Sequence, residues 1–244
     1  MAKQRLDVLL VARGLFPSRE KAQRAIMAGD VTLPERIADK PGLQVAEDAV
    51  LTVRTTEKYV GRGGLKLEEA LAAFSVDCAG AVCLDVGAST GGFTDCLLQH
   101  GAAKVYAIDV GHSQLAWKIR DDPRVEVREH LNARYLTTEH VPEQVELCVL
   151  DVSFISLTLV LPVAMALVRP GGRLIPLIKP QFELRREDVG KGGVVRDPAL
   201  RERAVERIRA WVLAEGSCAW DGCVASPITG AAGNQEYLAC LRRL

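Results

Sequence analysis

The stretch Leu84–Thr94 reads LDVGASTGGFT. It leaves an apolar run that begins at Val82 and opens a helix-like segment over 92–100. Gly87, Gly91 and Gly92 remove side chains where backbone must pass close to a ligand, or permit a positive φ. Free amides at the start of the helix can then meet polar ligand atoms. The spacing G-x-x-x-G-G is not the dinucleotide fingerprint G-x-G-x-x-G, and no Lys follows the last glycine as a P-loop requires. Asp109 closes the next strand, where a carboxylate can accept hydrogen bonds from both hydroxyls of a ribose. An amino-acid-plus-nucleoside ligand suits this loop better than a diphosphate.

Outward from the loop, strands and helices alternate. Strands are expected at 82–86, 105–109, 125–128, 147–151 and 173–178, and helices at 65–74, 92–100, 113–120, near 157–168 and at 198–215. Residues 180–197 read as irregular, and strands near 219–225 and 236–242 end the pattern. Such repetition predicts a mostly parallel, Rossmann-like α/β sheet with helices on both faces, whose ligands bind at the carboxyl ends of the strands. Residues 152–168 hold no charge over 17 positions. Their Ser, Thr and Pro content and marginal length favour a strand end, a turn and a buried helix over a membrane span.

Upstream the pattern differs. Residues 5–15 and 18–28 read as two short helices, with Ser18 as an N-cap and Gly14 and Gly29 as stops. A β region follows, with strands at 31–33 and 50–53. The polar, then Gly-rich stretch TTEKYVGRGG (55–64) marks the boundary. The expected division is a small α+β domain over 1–56, a linker over 57–64 and the α/β domain over 65–244.

The 31 basic and 31 acidic side chains cancel, so total charge does not announce a nucleic-acid partner. Their distribution is more informative. Residues 1–27 carry Lys3, Arg5, Arg13, Arg19, Lys21 and Arg24 against Asp7 and Glu20 alone, whereas 28–57 hold six acids and three bases. The seven cysteines form no CxxC pair, which argues against zinc or a disulfide framework and for reduced thiols in the cytoplasm. The N-terminal apolar run is too short for a secretory signal. No metal and no membrane association are expected, and a monomer is the expected state.

Charged residues stand at several strand ends. Asp151 ends the fourth strand, Lys179 the fifth, Lys66 begins the lead-in helix and Glu236 opens the last strand. A lysine can take a proton from an alcohol if burial and a neighbouring cation favour its neutral form, and carboxylates can orient the partners. This chemistry suits methyl transfer from a sulfonium to a hydroxyl. Taken singly, each of these charges would pass as a solvated residue or an ordinary ion pair.

Several motifs together resemble the TlyA family of ribosomal RNA 2′-O-methyltransferases, whose catalytic domain is of the FtsJ type. RLDVLLVARGL (5–15), SREKAQRAIMAG (18–29) and DKPG (39–42) resemble an S4 RNA-binding domain. GRGGLKL (61–67), DVGASTGGFTD (85–95), AIDVGHSQLAWKIRDDPRV (107–125), LDVSFIS (150–156), IKPQFE (178–183) and GNQEYL (233–238) carry the rest. The resemblance implies a Lys-Asp-Lys-Glu tetrad of Lys66, Asp151, Lys179 and Glu236, with Lys179 as general base. It implies an S-adenosylmethionine site on Asp85, Gly87, Ala88, Ser89, Gly91, Gly92, Phe93 and Asp109, with Asn132 as an adenine contact. Arg5, Arg19, Lys21 and Arg24 would hold RNA backbone. Cytidine in the small, and sometimes the large, ribosomal subunit is the implied target. The segment VTLPERIADKPG (31–42) departs from the Val-Asn-Gly-like turn usual in this family. Two other functions compete: a ribosome-binding or assembly factor that has lost activity, and a haemolysin, a label the family has carried. An intact tetrad and loop oppose the first, and the lack of a secretory signal and of a clear spanning helix opposes the second.

Overall fold

The computed structural model describes residues 3–16, 18–34, 36–53 and 58–244. The chain divides into two compact units, Met1–Glu57 and Lys58–Leu244. Thr55–Glu57, part of the expected boundary, lie outside the described residues. The remainder, from Lys58, packs with the second unit: Tyr59 is buried, and the Val60 amide donates to Asp95 Oδ2 at 2.8 Å.

In the first unit β1 (Lys3–Arg5) leads directly into α1 (Leu6–Ala12), and α2 (Arg19–Met27) follows. The helix α1 is shorter than its apolar pattern suggests. Gly14 turns left-handed at φ +70°, and the Gly14 and Leu15 amides fold back onto the carbonyls of Val11 and Leu10. Ser18 caps α2 through the Lys21 amide. Five short strands complete the unit. β2 (Val31–Leu33) pairs with β3 (Arg36–Ile37) and β5 (Thr52–Val53), while β4 (Gln44–Ala46) pairs with β1. Leu6, Leu10, Ala22, Ile26, Val31 and Val45 form the core.

Asp7 sits at the rim of that core with no accessible surface. Arg5 donates to it twice, Gln23 donates at 2.7 Å and Arg19 at 2.8 Å. The Arg5 guanidinium above all, then Gln23 and Arg19, holds the carboxyl well below the usual carboxylate range, against the opposing effect of burial.

The second unit is a seven-stranded sheet. β6 (Val82–Val86), β7 (Lys104–Ile108), β8 (Val125–Arg128), β9 (Val145–Leu150) and β10 (Val168–Ile178) run parallel. β12 (Tyr237–Arg243) is antiparallel to β10, and β11 (Cys218–Ala225) antiparallel to β12. The order across the sheet is β11-β12-β10-β9-β6-β7-β8. Alternate residues feed two cores. Leu84, Val86, Cys148 and Leu150 face α6 (Leu161–Leu167) and α8 (Pro198–Glu215). Cys83, Leu147 and Val149 face α3 (Gly63–Ala73) and α4 (Gly92–Gln99). This double burial explains why the strands read as continuous apolar runs.

Two expectations need correction, at 113–120 and within 180–197. Only Trp117–Arg120 of 113–120 is helical (α5). Asp109 and Glu129 carboxylates take the Gly111 and Ser113 amides, and Ser113 sits at φ +52°, so these residues form a bent loop instead. The uncharged run 152–168 holds a loop, a 3₁₀ turn at Leu157–Leu159 and α6, and among the described residues no helix is long and apolar enough to cross a membrane. Within the expected irregular stretch, Pro180–Glu183 forms a helical turn (α7), with Pro180 at a position where its missing amide costs nothing.

Asp7→Ala is expected to destabilise the first unit by about 2 kcal/mol, because two guanidiniums and an amide lose their shared acceptor. Hydrogen exchange at the α1 and α2 amides of the full chain reads this out, and unchanged exchange would show that the cluster is merely solvated charge. The pH dependence follows from the lowered carboxyl. Its stabilisation is complete above the unfolded value of about 3.9 and is lost as pH falls from there through the lower folded value.

Candidate active site

The loop after β6 is shaped by one close approach. Gly87 sits at φ +88°, and a Cβ there would lie 2.5 Å from the Asp151 carbonyl oxygen. The Gly87 and Ala88 amides both donate to the Ile108 carbonyl, and the Asp151 amide donates to the Val86 carbonyl. The ends of β6, β7 and β9 are thereby stitched together. Gly91, at φ +95°, leaves the turn and starts α4. Ser89 holds φ +49° without being glycine, a local strain of the kind found at ligand sites.

Asp85 lies behind this loop. It is fully buried, accepts from Thr94 Oγ1 at 2.6 Å and leaves its other oxygen without a hydrogen bond. Burial, with the neighbouring Asp151 and Asp109 carboxylates, pushes its carboxyl up to about 7. It lines neither of the cavities at the strand ends. Its role here is to clasp α4 to β6.

Two cavities open at the carboxyl ends of the parallel strands. The larger, about 510 Å³, is walled by Ile108, Val110, Leu131 and Val152, with Asp109, Asn132 and Ser89 among its polar groups. Asp109 accepts from the Ser89 amide at 2.8 Å and the Gly111 amide at 2.7 Å, one on each carboxylate oxygen. Each oxygen keeps a second lone pair for a ligand hydroxyl. Asn132 Oδ1 accepts from the Arg134 amide, which fixes the side chain at the cavity wall. The smaller cavity, about 230 Å³, is lined by Gly63, Ala88, Gly92, Phe93 and Lys179. The two share Gly87, Ser89, Asp151 and Ser153.

The four predicted charges meet as two pairs. Lys66 Nζ donates to Glu236 Oε2 at 2.5 Å, and Lys179 Nζ lies 2.6 Å from Asp151 Oδ1. The sheet explains the meeting. β9 and β10 are register neighbours through Leu150 and Pro176, and β10 and β12 through Ile178 and Tyr237. The residues that follow or precede those positions, Asp151, Lys179 and Glu236, emerge at the same edge. α3 packs on β12 and brings Lys66. Lys66 and Glu236 are buried and line neither cavity, whereas Asp151 lines both and Lys179 the smaller.

Side chains that sequence reading did not single out also converge here. Ser153 Oγ accepts from Lys179 Nζ at 2.7 Å. Phe154 is 90% exposed at φ +63°, its ring centroid 5.1 Å from that of Phe182. The Lys179 ammonium in turn lies 5.9 Å from the Phe182 ring centroid. Phe154 stands inside an uncharged run, where an aromatic residue reads as core; only its position just past a strand end hinted otherwise.

The basic residues of the first unit are placed unequally. Arg5 and Arg19 are committed to Asp7. Arg24 pairs with Glu20 one turn away, both well exposed, and Lys21 is exposed on the same helix. Among the described residues no cluster of three or more His, Cys, Asp or Glu could hold a metal ion.

Residues 59–243 match the family of FtsJ-like methyltransferases, and residues 4–51 match the S4 domain. The chain is 48% identical over 244 residues to the 16S/23S rRNA (cytidine-2′-O)-methyltransferase TlyA of Mycobacterium tuberculosis, covering 98% of this chain and 90% of that one. It is 42% identical over 236 residues to Hemolysin A of Brachyspira hyodysenteriae, covering 96% and 98%. A solved chain from Streptococcus thermophilus superposes with a TM-score of 0.74 at 42% identity, covering 100% of this chain and 89% of that one.

Gly87→Ala tests the close approach. Strained φ and a Cβ 2.5 Å from backbone are expected together to cost roughly 2–4 kcal/mol of stability. Gly216→Ala is the control, since Gly216 has φ +80° but open space around it, and should cost about 1 kcal/mol. Equal shifts in the thermal midpoint of the two variants would show that crowding at Gly87 is relieved cheaply.

Proposed function

Because the chain belongs to the FtsJ-like methyltransferase family, we propose that it methylates a ribose 2′-hydroxyl of ribosomal RNA, at cytidine, with S-adenosylmethionine as methyl donor. The observation that carries this reading is the placement of Lys179, beside Asp151, on the wall of a cavity that adjoins the larger cleft. The TlyA relative is named for this reaction on 16S and 23S rRNA.

The donor fits the residues present. The larger cavity lies within the size range of small-molecule sites and has an apolar wall suited to an adenine ring. Asp109 offers two lone pairs to ribose hydroxyls at the end of β7, and Asn132 stands beside the apolar wall. Ala88, Gly92 and Phe93 would border the smaller cavity where donor and acceptor meet. When bound, S-adenosylmethionine supplies an electrophilic methyl on a positively charged sulfur.

Lys179 then acts on the acceptor. In its neutral form its Nζ takes the proton of the 2′-hydroxyl as the oxygen forms its bond to the methyl carbon and the carbon–sulfur bond breaks. The pair in the carbon–sulfur bond leaves with sulfur as S-adenosylhomocysteine, and the ammonium releases its proton to solvent. Asp151 steadies the cation so formed. Lys66 and Glu236 hold the neighbouring corner as a buried, charge-balanced pair. Phe154 offers an exposed aromatic face beside the base, on which a displaced nucleobase can stack.

The S4 unit supplies grip. Lys21 and Arg24 are exposed on α2, and the weak Arg24–Glu20 pair is easily exchanged for phosphate. Arg5 and Arg19 remain partly exposed while anchored on Asp7, so they present pre-oriented guanidiniums. A ribosomal subunit is the proposed partner and the cytoplasm the proposed site of action.

Transfer of labelled methyl from S-adenosylmethionine to 30S subunits, 50S subunits and naked rRNA tests the activity. Lys179→Ala is expected to lower kcat roughly a hundredfold or more while cofactor affinity stays within about threefold. Wild-type activity in that variant would remove Lys179 as the base, and cofactor binding by the wild type without transfer to any substrate would favour a binding factor. The double substitution Lys21→Glu with Arg24→Glu should weaken RNA binding. It should also flatten the slope of log affinity against log salt by about one for each phosphate no longer neutralised. Identical salt titrations would count against this face of the S4 unit.

A further inference from the structure

The environment of Lys179 is asymmetric. Asp151 Oδ1 lies 2.6 Å from Nζ, yet this buried oxygen receives no well-directed hydrogen bond. The directed bond goes to Ser153 Oγ, at 2.7 Å. Attraction and direction are thus supplied by different residues. A carboxylate draws the amine in but does not fix its rotation about Cε–Nζ; a hydroxyl oxygen that accepts one N–H does. Ser153 is exposed on the loop after β9 and borders both cavities, so it stands where the methyl donor and acceptor would meet.

We propose that Ser153 is a positioning residue for the methyl-transfer reaction, pinning one N–H of Lys179 so that its lone pair faces the acceptor hydroxyl instead of turning into Asp151. The proposal rests on the reading of Lys179 as general base. Tetrahedral geometry at Nζ does the work: with Cε and one N–H fixed, the remaining positions are confined, and rotation towards Asp151 is blocked. Without the hydroxyl, the amine is free to align an N–H on Asp151. That alignment leaves the orientation of the lone pair toward the acceptor hydroxyl unfixed. Orientation of a reacting group is worth orders of magnitude when complete, so a partial loss should be visible in kcat. The fold should be untouched, because the side chain is exposed on a loop.

The test compares Ser153→Ala, Ser153→Thr and Lys179→Ala in steady-state methyl transfer, with cofactor affinity measured separately. Ser153→Ala is expected to lower kcat about tenfold, leaving KM and affinity for S-adenosylmethionine within twofold and the thermal midpoint unchanged. Ser153→Thr, which keeps the hydroxyl, should recover kcat to within about threefold of wild type. The proposal is overturned if Ser153→Ala keeps wild-type kcat, if its loss appears in cofactor affinity instead, or if Thr is as impaired as Ala. Lys179→Ala separates the two levels. If it abolishes transfer while Ser153→Ala is normal, only the positioning role fails. If Lys179→Ala is active, the base assignment fails and the role of Ser153 with it.

Discussion

Strands β9, β10 and β12 end in register, and everything proposed for the site depends on that register. Leu150 lies opposite Pro176, and Ile178 lies opposite Tyr237. A slip of one residue between β9 and β10 would send Asp151 to the other face of the sheet and part it from Lys179. The register is protected by burial on both faces. Leu150 and Leu174 feed one core and Val149 and Ile175 the other, so a slipped pairing would set side chains of one core against the other and spoil the packing of both. The close approach at Gly87 adds a second lock, holding the end of β6 against the backbone of Asp151. A glycine loop that reads as a cofactor cradle therefore also braces the strand end that carries Asp151.

Legibility in the sequence tracked how local each feature is. β6, β8 and α8 match their apolar and capping patterns because each is specified by its own residues and stop signals. The failed helix at 113–116 depends on carboxylates from Asp109 and Glu129, the latter on another strand end, which no window of sequence displays. The short strand β4 lies hidden because its partner β1 is far off in the chain, Lys3 facing Ala46, and only Val45 of its three residues is buried. For the site, the types of residue were legible but their meeting was not. Lys66 and Glu236 are 170 residues apart in sequence. Motif resemblance, not spacing, joined them, and the sheet gives the physical reason.

The clearest gap concerns residues whose burial inverts expectation. Phe154 sits in an uncharged run and is exposed; Asp7 sits among charges and is buried. Both contradict average behaviour for their types, and both lie next to the residues proposed to act. Asp7 changes the meaning of the basic N-terminal end. Part of that charge is balanced within the fold, at Arg5 and Arg19, while Lys21 and Arg24 present it on the exposed face of α2. The S4 unit is thus less a uniform basic patch than a braced frame, with Lys21 and Arg24 facing outward on α2.

The two lysine–carboxylate pairs also bear on whether the molecule catalyses or merely binds. A buried pair such as Lys66–Glu236 gives up the hydration of two charges, and an apolar pair of like volume would hold α3 on β12 at least as well. A scaffold that only gripped RNA would gain nothing from it. In the proposed reaction the same arrangement would have a use: a fixed dipole near the hydroxyl that loses its proton, held without admitting water. Asp151 is half-open where Glu236 is closed, and Lys179 reaches the cavity where Lys66 does not. Under the proposed reaction, the closed pair would serve as a support and the open one as the working group.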